Sequence, residues 1–298
     1  MPSNFRINTM LQSMTGYGKA TGTYNDKQIR VEIKSLNSKQ MDISSRMPAQ
    51  YREKDLDLRR MVTQQLERGK VDLNINVTST NVVASTQING AILKDYYNQI
   101  KQLSDTENIP LPADWFSTLL RLPEVLKNEE QQLEENEWLE VAKITQEAIG
   151  QLVKFRVQEG NSLANVFTSK VDNIERLLGT VGQYETERIE RIKTRLRDGL
   201  QNLNENYNAD RFEQELIFYI EKLDVNEEKS RLKNHLDYFR ETMKKEHNPG
   251  KKLGFIAQEM GREINTLGSK ANHAELQKIV VLMKDELEQI KEQVLNVL

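Results

Sequence analysis

The stretch Gln28-Ile29-Arg30-Val31-Glu32-Ile33-Lys34-Ser35 decides the fold class. Arg30, Glu32 and Lys34 fall on one face and Ile29, Val31 and Ile33 on the other, the two-residue period of a strand with one buried face. Upstream, Ser13-Met14-Thr15-Gly16-Tyr17-Gly18 contains glycines that break a helix, and Thr21 to Asp26 reads as a turn, so this region predicts a hairpin. Downstream, Val71-Asp72-Leu73-Asn74-Ile75-Asn76-Val77 alternates again and supplies a further strand. Between them Leu56, Leu58, Met61, Val62 and Leu66 are spaced as on a helix over Tyr51 to Leu66, with Pro48 before it and Gly69 after it. A strand–strand–helix–strand order predicts an α+β layer in which helices cover one sheet face.

Farther along, Asn108 to Pro112 and Leu122-Pro123 interrupt the helices, and the acidic run Glu129 to Glu140 reads as a solvated helix face. From about Glu137 onward strand signals vanish. Ile189, Ile192, Leu196, Leu200, Leu203 and Tyr207 recur at steps of three or four, as do Leu276, Val280, Met283, Leu287, Ile290, Val294 and Val297. Such stripes pack either within the chain or along a seam with a partner. The expected fold class is therefore α+β: an amino-terminal strand–helix domain over 10–155, followed by a mostly α-helical carboxy-terminal region with long helices over 156–298.

Composition narrows the function classes. A chain of 298 residues with 37% hydrophobic and 29% charged residues suits two helix-rich domains with much exposed surface. It has no cysteine, which excludes disulfides, thiolate nucleophiles and zinc–cysteine sites and makes a reducing cytoplasm the expected location. The first residues lack a signal-peptide pattern and no window approaches a membrane span, so neither secretion nor a membrane partner is expected. Charge is uneven: residues 1–80 carry 13 basic and 8 acidic side chains, whereas 81–160 carry 7 and 13. A basic amino-terminal piece suits a polyanion. The face from Glu185 to Asp198, with Arg188, Arg191, Lys193, Arg195 and Arg197, either touches RNA phosphates or is solvated and internally paired.

No P-loop, dinucleotide fingerprint, nucleophile elbow or zincin helix is present. Two carboxyl-rich helical segments remain. In Asp224 to Met243, Leu232, Leu236, Phe239 and Met243 form an apolar stripe, and Asp224, Glu228, Arg231 and His235 share another face. Carboxylates there suit a divalent ion and the imidazole suits proton transfer, while Asp224 with Glu227 also reads as a capping box. In Lys251 to Ala271, Leu253, Ile256, Met260, Ile264 and Leu267 make the buried stripe. Gln258, Arg262, Asn265 and Ser269 form one polar row, and Glu259, Glu263, Thr266 and Lys270 the other. Two carboxylates one turn apart can hold Mg²⁺ or Mn²⁺, and Arg and Lys can grip phosphate oxygens; equally, both acids can pair with nearby cations.

The sequence resembles the bacterial YicC-like (YicC/YloC) family over nearly its whole length. The resemblance rests on Ser13-Met14-Thr15-Gly16-Tyr17-Gly18, Val31-Glu32-Ile33-Lys34-Ser35-Leu36-Asn37, Arg46-Met47-Pro48, Arg68-Gly69-Lys70-Val71, Glu159-Gly160, Asp224-Val225, Glu227-Glu228, Arg231-Leu232, His235, and Gln258-Glu259-Met260 with Arg262-Glu263 to Ala271. This chain departs from the family pattern at Gly254 and Gly261, where aspartate and asparagine are usual. The pattern begins at Met10, so residues 1–9 are expected to be an extension. The resemblance implies a divalent-metal-dependent endoribonuclease that cleaves single-stranded RNA and assembles as a hexamer.

Combined with the polar rows, the expectation is metal-assisted phosphodiester cleavage. Glu259 and Glu263, joined by Asp224 or Glu228, hold the ion. His235 is the acid–base group, Arg231, Arg262 and Lys270 face the RNA, and Arg30, Lys34, Lys39, Arg46 and Lys70 guide its backbone. A metal-independent variant has His235 assist attack by a 2′-hydroxyl. The rival readings are a non-catalytic RNA-binding adaptor and an oligomeric scaffold.

Overall fold

The computed structural model describes residues 11–79, 86–128, 133–201 and 209–298. The expected extension over 1–9, Glu129 and Glu130 of the acidic run, and Leu203 and Tyr207 of the first apolar stripe lie outside these residues.

The alternating stretch is strand β2 (Lys27–Leu36), with Ile29, Val31 and Ile33 all fully buried. Each is worth about 2 kcal/mol of burial, and a one-residue slip exposes all three, which sets the register. It pairs antiparallel with β1 (Gly16–Tyr24) and with β4 (Gly69–Ser79), and β3 (Met41–Arg46) lies parallel to β4, giving the order β1-β2-β4-β3. Two expectations change here. The turn shrinks to Asn25-Asp26, with Asn25 at φ 49°, because Thr21 to Tyr24 continue the ladder with β2. The strand β3 adds a member to the expected order: its inward side holds only Met41, Ile43 and Ser45, too few apolar residues for alternation to show.

The expected helix over Tyr51 to Leu66 divides into a 3₁₀ turn (Ala49–Lys54) and α1 (Asp55–Gln65), which links β3 to β4. There follow β5 (Thr86–Ile88), α2 (Gly90–Glu107), α3 (Trp115–Leu119) and β6 (Leu126–Asn128), with β5 and β6 paired as a separate ribbon. Helix α4 (Glu135–Thr180) is 46 residues long, about 70 Å. After a 3₁₀ turn come α5 (Glu185–Gln201), α6 (Ala209–Lys222), α7 (Asn226–Lys245), α8 (Gly250–Ala271) and α9 (Ala274–Val294). The α+β class expected from the sequence is the one observed.

Helices α1 and α4 cover the same sheet face: Leu58 and Val62 of α1 and Val141 to Leu152 of α4 join the buried strand residues in one core. The close approach of α4 to β1 requires glycine, since a Cβ on Gly18 would lie 2.0 Å from the Ala148 carbonyl oxygen. Among the described residues the opposite sheet face is left open. Helix α4 passes unbroken through 155–156, and from Phe167 onward it packs into a second core formed with α7, α8 and α9. The regular stripe from Leu276 to Val297 is buried in that second core, so its partner is the same chain.

Between the cores Arg156 is 1% exposed, and its Nη2 donates to the Met14 and Arg68 carbonyl oxygens and to Ser35 Oγ. Burial is the main cause that pushes its guanidinium down to about 10. Residues 11–14 and 296–298 close the junction: Ser13 pairs with Val297, and the Leu298 N–H donates to the Gln12 carbonyl at 3.0 Å.

Candidate active site

Helices α7 and α8 are consecutive, joined by residues 246–249, and pack against each other along their length as an antiparallel hairpin. Leu232, Leu236, Phe239 and Met243 meet Leu253, Ile256, Met260, Ile264 and Leu267 in the core, which leaves one polar row of each helix beside the seam. Two cross-helix contacts tie those rows together. At one end Lys270 Nζ donates to Glu228 Oε1 at 2.8 Å. Toward the other, Lys252 Nζ sits 4.9 Å from the centroid of the Tyr238 ring.

His235 and Glu263 stand between these contacts. Two helical turns separate Glu228 from His235, and the same two turns, counted backward, separate Lys270 from Glu263. In an antiparallel hairpin both steps run the same way by about 10 Å and return to the same face, so both side chains lie on the groove side of their helices, in the stretch between the two contacts. Both are half-buried, and among the described residues neither takes part in a hydrogen bond or ion pair. The two carboxyl-rich segments, far apart as separate sequence patterns, thus face each other. Tyr238 and Lys252 were not singled out from the sequence, although each continues a row at helical spacing: Tyr238 one turn past His235, and Lys252 two turns before Glu259.

The other site candidates are engaged. Glu228 is only 5% exposed, its Oε1 is held by Lys270, and its Oε2 is buried without a partner among the described residues. Glu259 pairs with Arg262 at 2.9 Å, and Arg231 with Glu227 at 2.5 Å, both in exposed i,i+3 or i,i+4 geometry of small energetic weight. Asp224 does not cap α7: the N-cap is Val225, and Asp224 Oδ1 instead accepts from the Asn226 N–H at 3.2 Å and from Asn226 Nδ2 at 2.8 Å. A tight turn at 224–226 satisfies the acid before the helix begins.

Beside Asp224 the structure adds Arg188, which is 5% exposed and donates to the Lys270 carbonyl at the end of α8. Burial lowers its affinity for the proton, opposed by Glu185 and Asp224. On the rest of the Glu185 to Asp198 face Arg191 pairs with Glu187 and Lys193 with Glu190 within the helix, and Glu185 reaches Lys229 of α7. Helix α8 runs unbroken through both Gly254 and Gly261, and Gly261 faces Leu287 and Lys291 of α9, away from the groove.

The donor set bears on a metal. Among the described residues no group of three or more His, Asp or Glu side chains is placed to enclose an ion. Glu259 and Glu263 lie one turn apart on α8, Glu259 paired with Arg262 and Glu263, among the described residues, without a hydrogen bond or ion pair; two carboxylates are the kind of donor a magnesium or manganese ion would take from a protein while keeping waters. They do not make an all-protein cage.

Four of the five amino-terminal cations come together elsewhere. Arg30, Lys34, Lys70 and Arg46 all lie on the open sheet face, as strand register dictates: Leu36 stands opposite Lys70, and Arg46 beside Asn74 opposite Glu32. Lys39 lies in the loop between β2 and β3.

Residues 11–165 match the family described as endoribonuclease YicC-like, N-terminal region, and residues 181–298 match its C-terminal counterpart. The chain belongs to the YicC-like family. A protein of Clostridioides difficile named probable endoribonuclease YicC is 29% identical, with 97% of this chain and 100% of that protein covered. A Haemophilus influenzae protein of the same name is 28% identical over 96% of this chain and 99% of its own. In this YicC-like chain the α7–α8 groove lies wholly within the C-terminal match and the open sheet within the N-terminal one. Among the described residues no helix is long and apolar enough to cross a membrane.

Proposed function

We propose that this chain is an endoribonuclease that cuts single-stranded RNA in the α7–α8 groove and works as a homo-oligomer, with six copies the expected assembly. The observation that carries the reading is a half-buried imidazole and carboxylate, His235 and Glu263, that lie in one groove between two cross-helix contacts and, among the described residues, take part in no hydrogen bond or ion pair.

His235 serves as the acid–base group, giving a proton to the leaving sugar oxygen as the P–O bond breaks. Glu263 accepts the proton of the attacking water as that water's oxygen bonds to phosphorus. The Lys270 ammonium, anchored by Glu228, keeps donors for a phosphate oxygen, and the exposed Arg262 guanidinium exchanges Glu259 for the phosphate, to which it can bond through two N–H groups. Glu259 and Glu263 are the residues that would hold a magnesium or manganese ion, which when bound would neutralise charge on the phosphate and acidify its water.

Incubating the purified chain with end-labelled single-stranded RNA, with and without EDTA, tests the reading, with the Glu259→Gln/Glu263→Gln double variant as control. Cleavage in Mg²⁺ or Mn²⁺, its loss on chelation, and its loss in a double variant that still binds RNA are expected. RNA left intact by the wild type under every metal condition overturns the enzyme reading, and intact RNA that is nevertheless bound tightly makes the chain an adaptor.

A further inference from the structure

Among the described residues the sheet is covered on one side only. Its open face presents Tyr17 and Lys19 from β1, Arg30, Glu32 and Lys34 from β2, Lys70 and Asp72 from β4, and Asp42 and Arg46 from β3. That is five cations against three carboxylates. Arg30 spends its charge on an ion pair, to Glu32 at 2.6 Å. Among the described residues Lys19, Lys34, Lys70 and Arg46 form none, so four head groups on one surface are free for phosphate.

Tyr17 is the aromatic ring on this face. It is 40% exposed and stands directly opposite Lys34, whose Nζ lies 5.8 Å from the ring centroid. Its position follows from the strand: Gly16, Gly18 and Ala20 point inward beneath α4, so the period of two sends Tyr17 outward. An aromatic residue placed for core packing would sit on the inner side. A flat ring beside free cations on an open sheet is the arrangement that stacks an unpaired base while the cations hold the flanking phosphates. Bases in a duplex are already stacked on one another and cannot lie on it.

We infer that the open sheet face is a platform for single-stranded RNA on which Tyr17 stacks a nucleobase, delivering the strand to the chain as a single strand. This rests on the endoribonuclease reading for its substrate, and assigns to the sheet a recognition step separate from the α7–α8 chemistry. Charge complementarity chooses the occupant: a second copy of this chain, formally −3 overall, is a weaker match than a polyanion with exposed bases.

The test is fluorescence anisotropy on the full chain with a short labelled 2′-O-methyl oligoribonucleotide, single-stranded, as a duplex, and as an abasic strand of equal charge. Tyr17→Ala is expected to weaken single-strand binding about tenfold, as for loss of one base–aromatic stack, and to leave duplex and abasic binding unchanged. Tyr17→Phe, which keeps the ring, is expected to bind within about twofold of wild type. Circular dichroism checks that each variant folds, and light scattering its oligomeric mass. Wild-type affinity in Tyr17→Ala, equal weakening on the abasic strand, or a loss of binding that follows a change in mass each overturn the inference. Those results leave the cleavage assay standing, whereas a wild-type chain that neither binds nor cuts RNA brings down the endoribonuclease reading itself.

Discussion

Lys270 Nζ reaches Glu228 Oε1 at 2.8 Å across the α7–α8 hairpin, and the second oxygen of that buried carboxylate has no partner among the described residues. The ammonium is therefore the main compensation for a charge held at 5% exposure. Removing it leaves an uncompensated buried anion, which costs more than the pair is worth.

Lys270→Met is expected to destabilise the chain by about 3 kcal/mol, and Glu228→Gln/Lys270→Met by clearly less, because the double variant leaves no charge unpaired. Urea unfolding of the two variants and the wild type checks this. Equal losses in both would show that the ammonium compensates nothing.

Gly160 lies on α4 against the Leu11 backbone, where an added Cβ would stand 1.8 Å from the carbonyl oxygen. Backbone atoms cannot yield as a flexible side chain can. Gly160→Ala is expected to cost about 3 kcal/mol or more by pushing residues 11–13 off the junction, and Gly18→Ala to cost a similar amount at the α4–β1 contact. Gly179→Ala, where a Cβ meets nothing within 4 Å on the same helix, should be neutral or slightly stabilising. Thermal melts of the three variants decide the order.

Acid should loosen the tie between α4 and α7. Lys233 and then Arg240 hydrogen-bond Glu175 and hold its carboxyl below the usual range, and Arg240 also binds Asp172 at 2.6 Å. A carboxyl whose folded pKa lies below its unfolded one stabilises fully above the unfolded value, near 4.5, and loses that contribution as pH falls through the folded value. Glu175→Gln should therefore flatten the decline of stability below about pH 4.5, with a difference at pH 7 of at most about 1 kcal/mol for so exposed a network. Denaturation midpoints across pH measure it.

His235→Ala should separate chemistry from folding. Because the imidazole is half-buried and unpaired, stability should change by less than about 1 kcal/mol. If it transfers the proton, the cleavage rate should fall about 10²- to 10⁴-fold with RNA binding kept. A near wild-type rate would move the acid–base role elsewhere.

The period-two pattern of β2 and β4 and the three- and four-residue steps of α7, α8 and α9 were legible because each element has one face in the core; a pattern of that kind is written residue by residue. Strand β3 was not legible. Its place depends on lying beside β4 after the α1 crossover, and an edge strand with two apolar residues carries almost no local signal. The same division applies to the site. Residue spacing was enough to sort Glu259, Glu263, Thr266 and Lys270 into one row and Asp224, Glu228, Arg231 and His235 into another, since a helix repeats its faces at known intervals.

Which of those residues face one another is a property of two helices together. Packing of α7 on α8 sets Glu228 against Lys270 and Tyr238 against Lys252, with His235 and Glu263 in the groove between, and no interval within either helix contains those pairings. The open sheet divides in the same way. Alternation along each strand sent Arg30, Lys34 and Lys70 to one side, but their gathering with Tyr17 and Arg46 follows from strand order and from both covering helices choosing the other face. Local periodicity assigns a side chain to a face; only the closing of long-range contacts decides what that face meets.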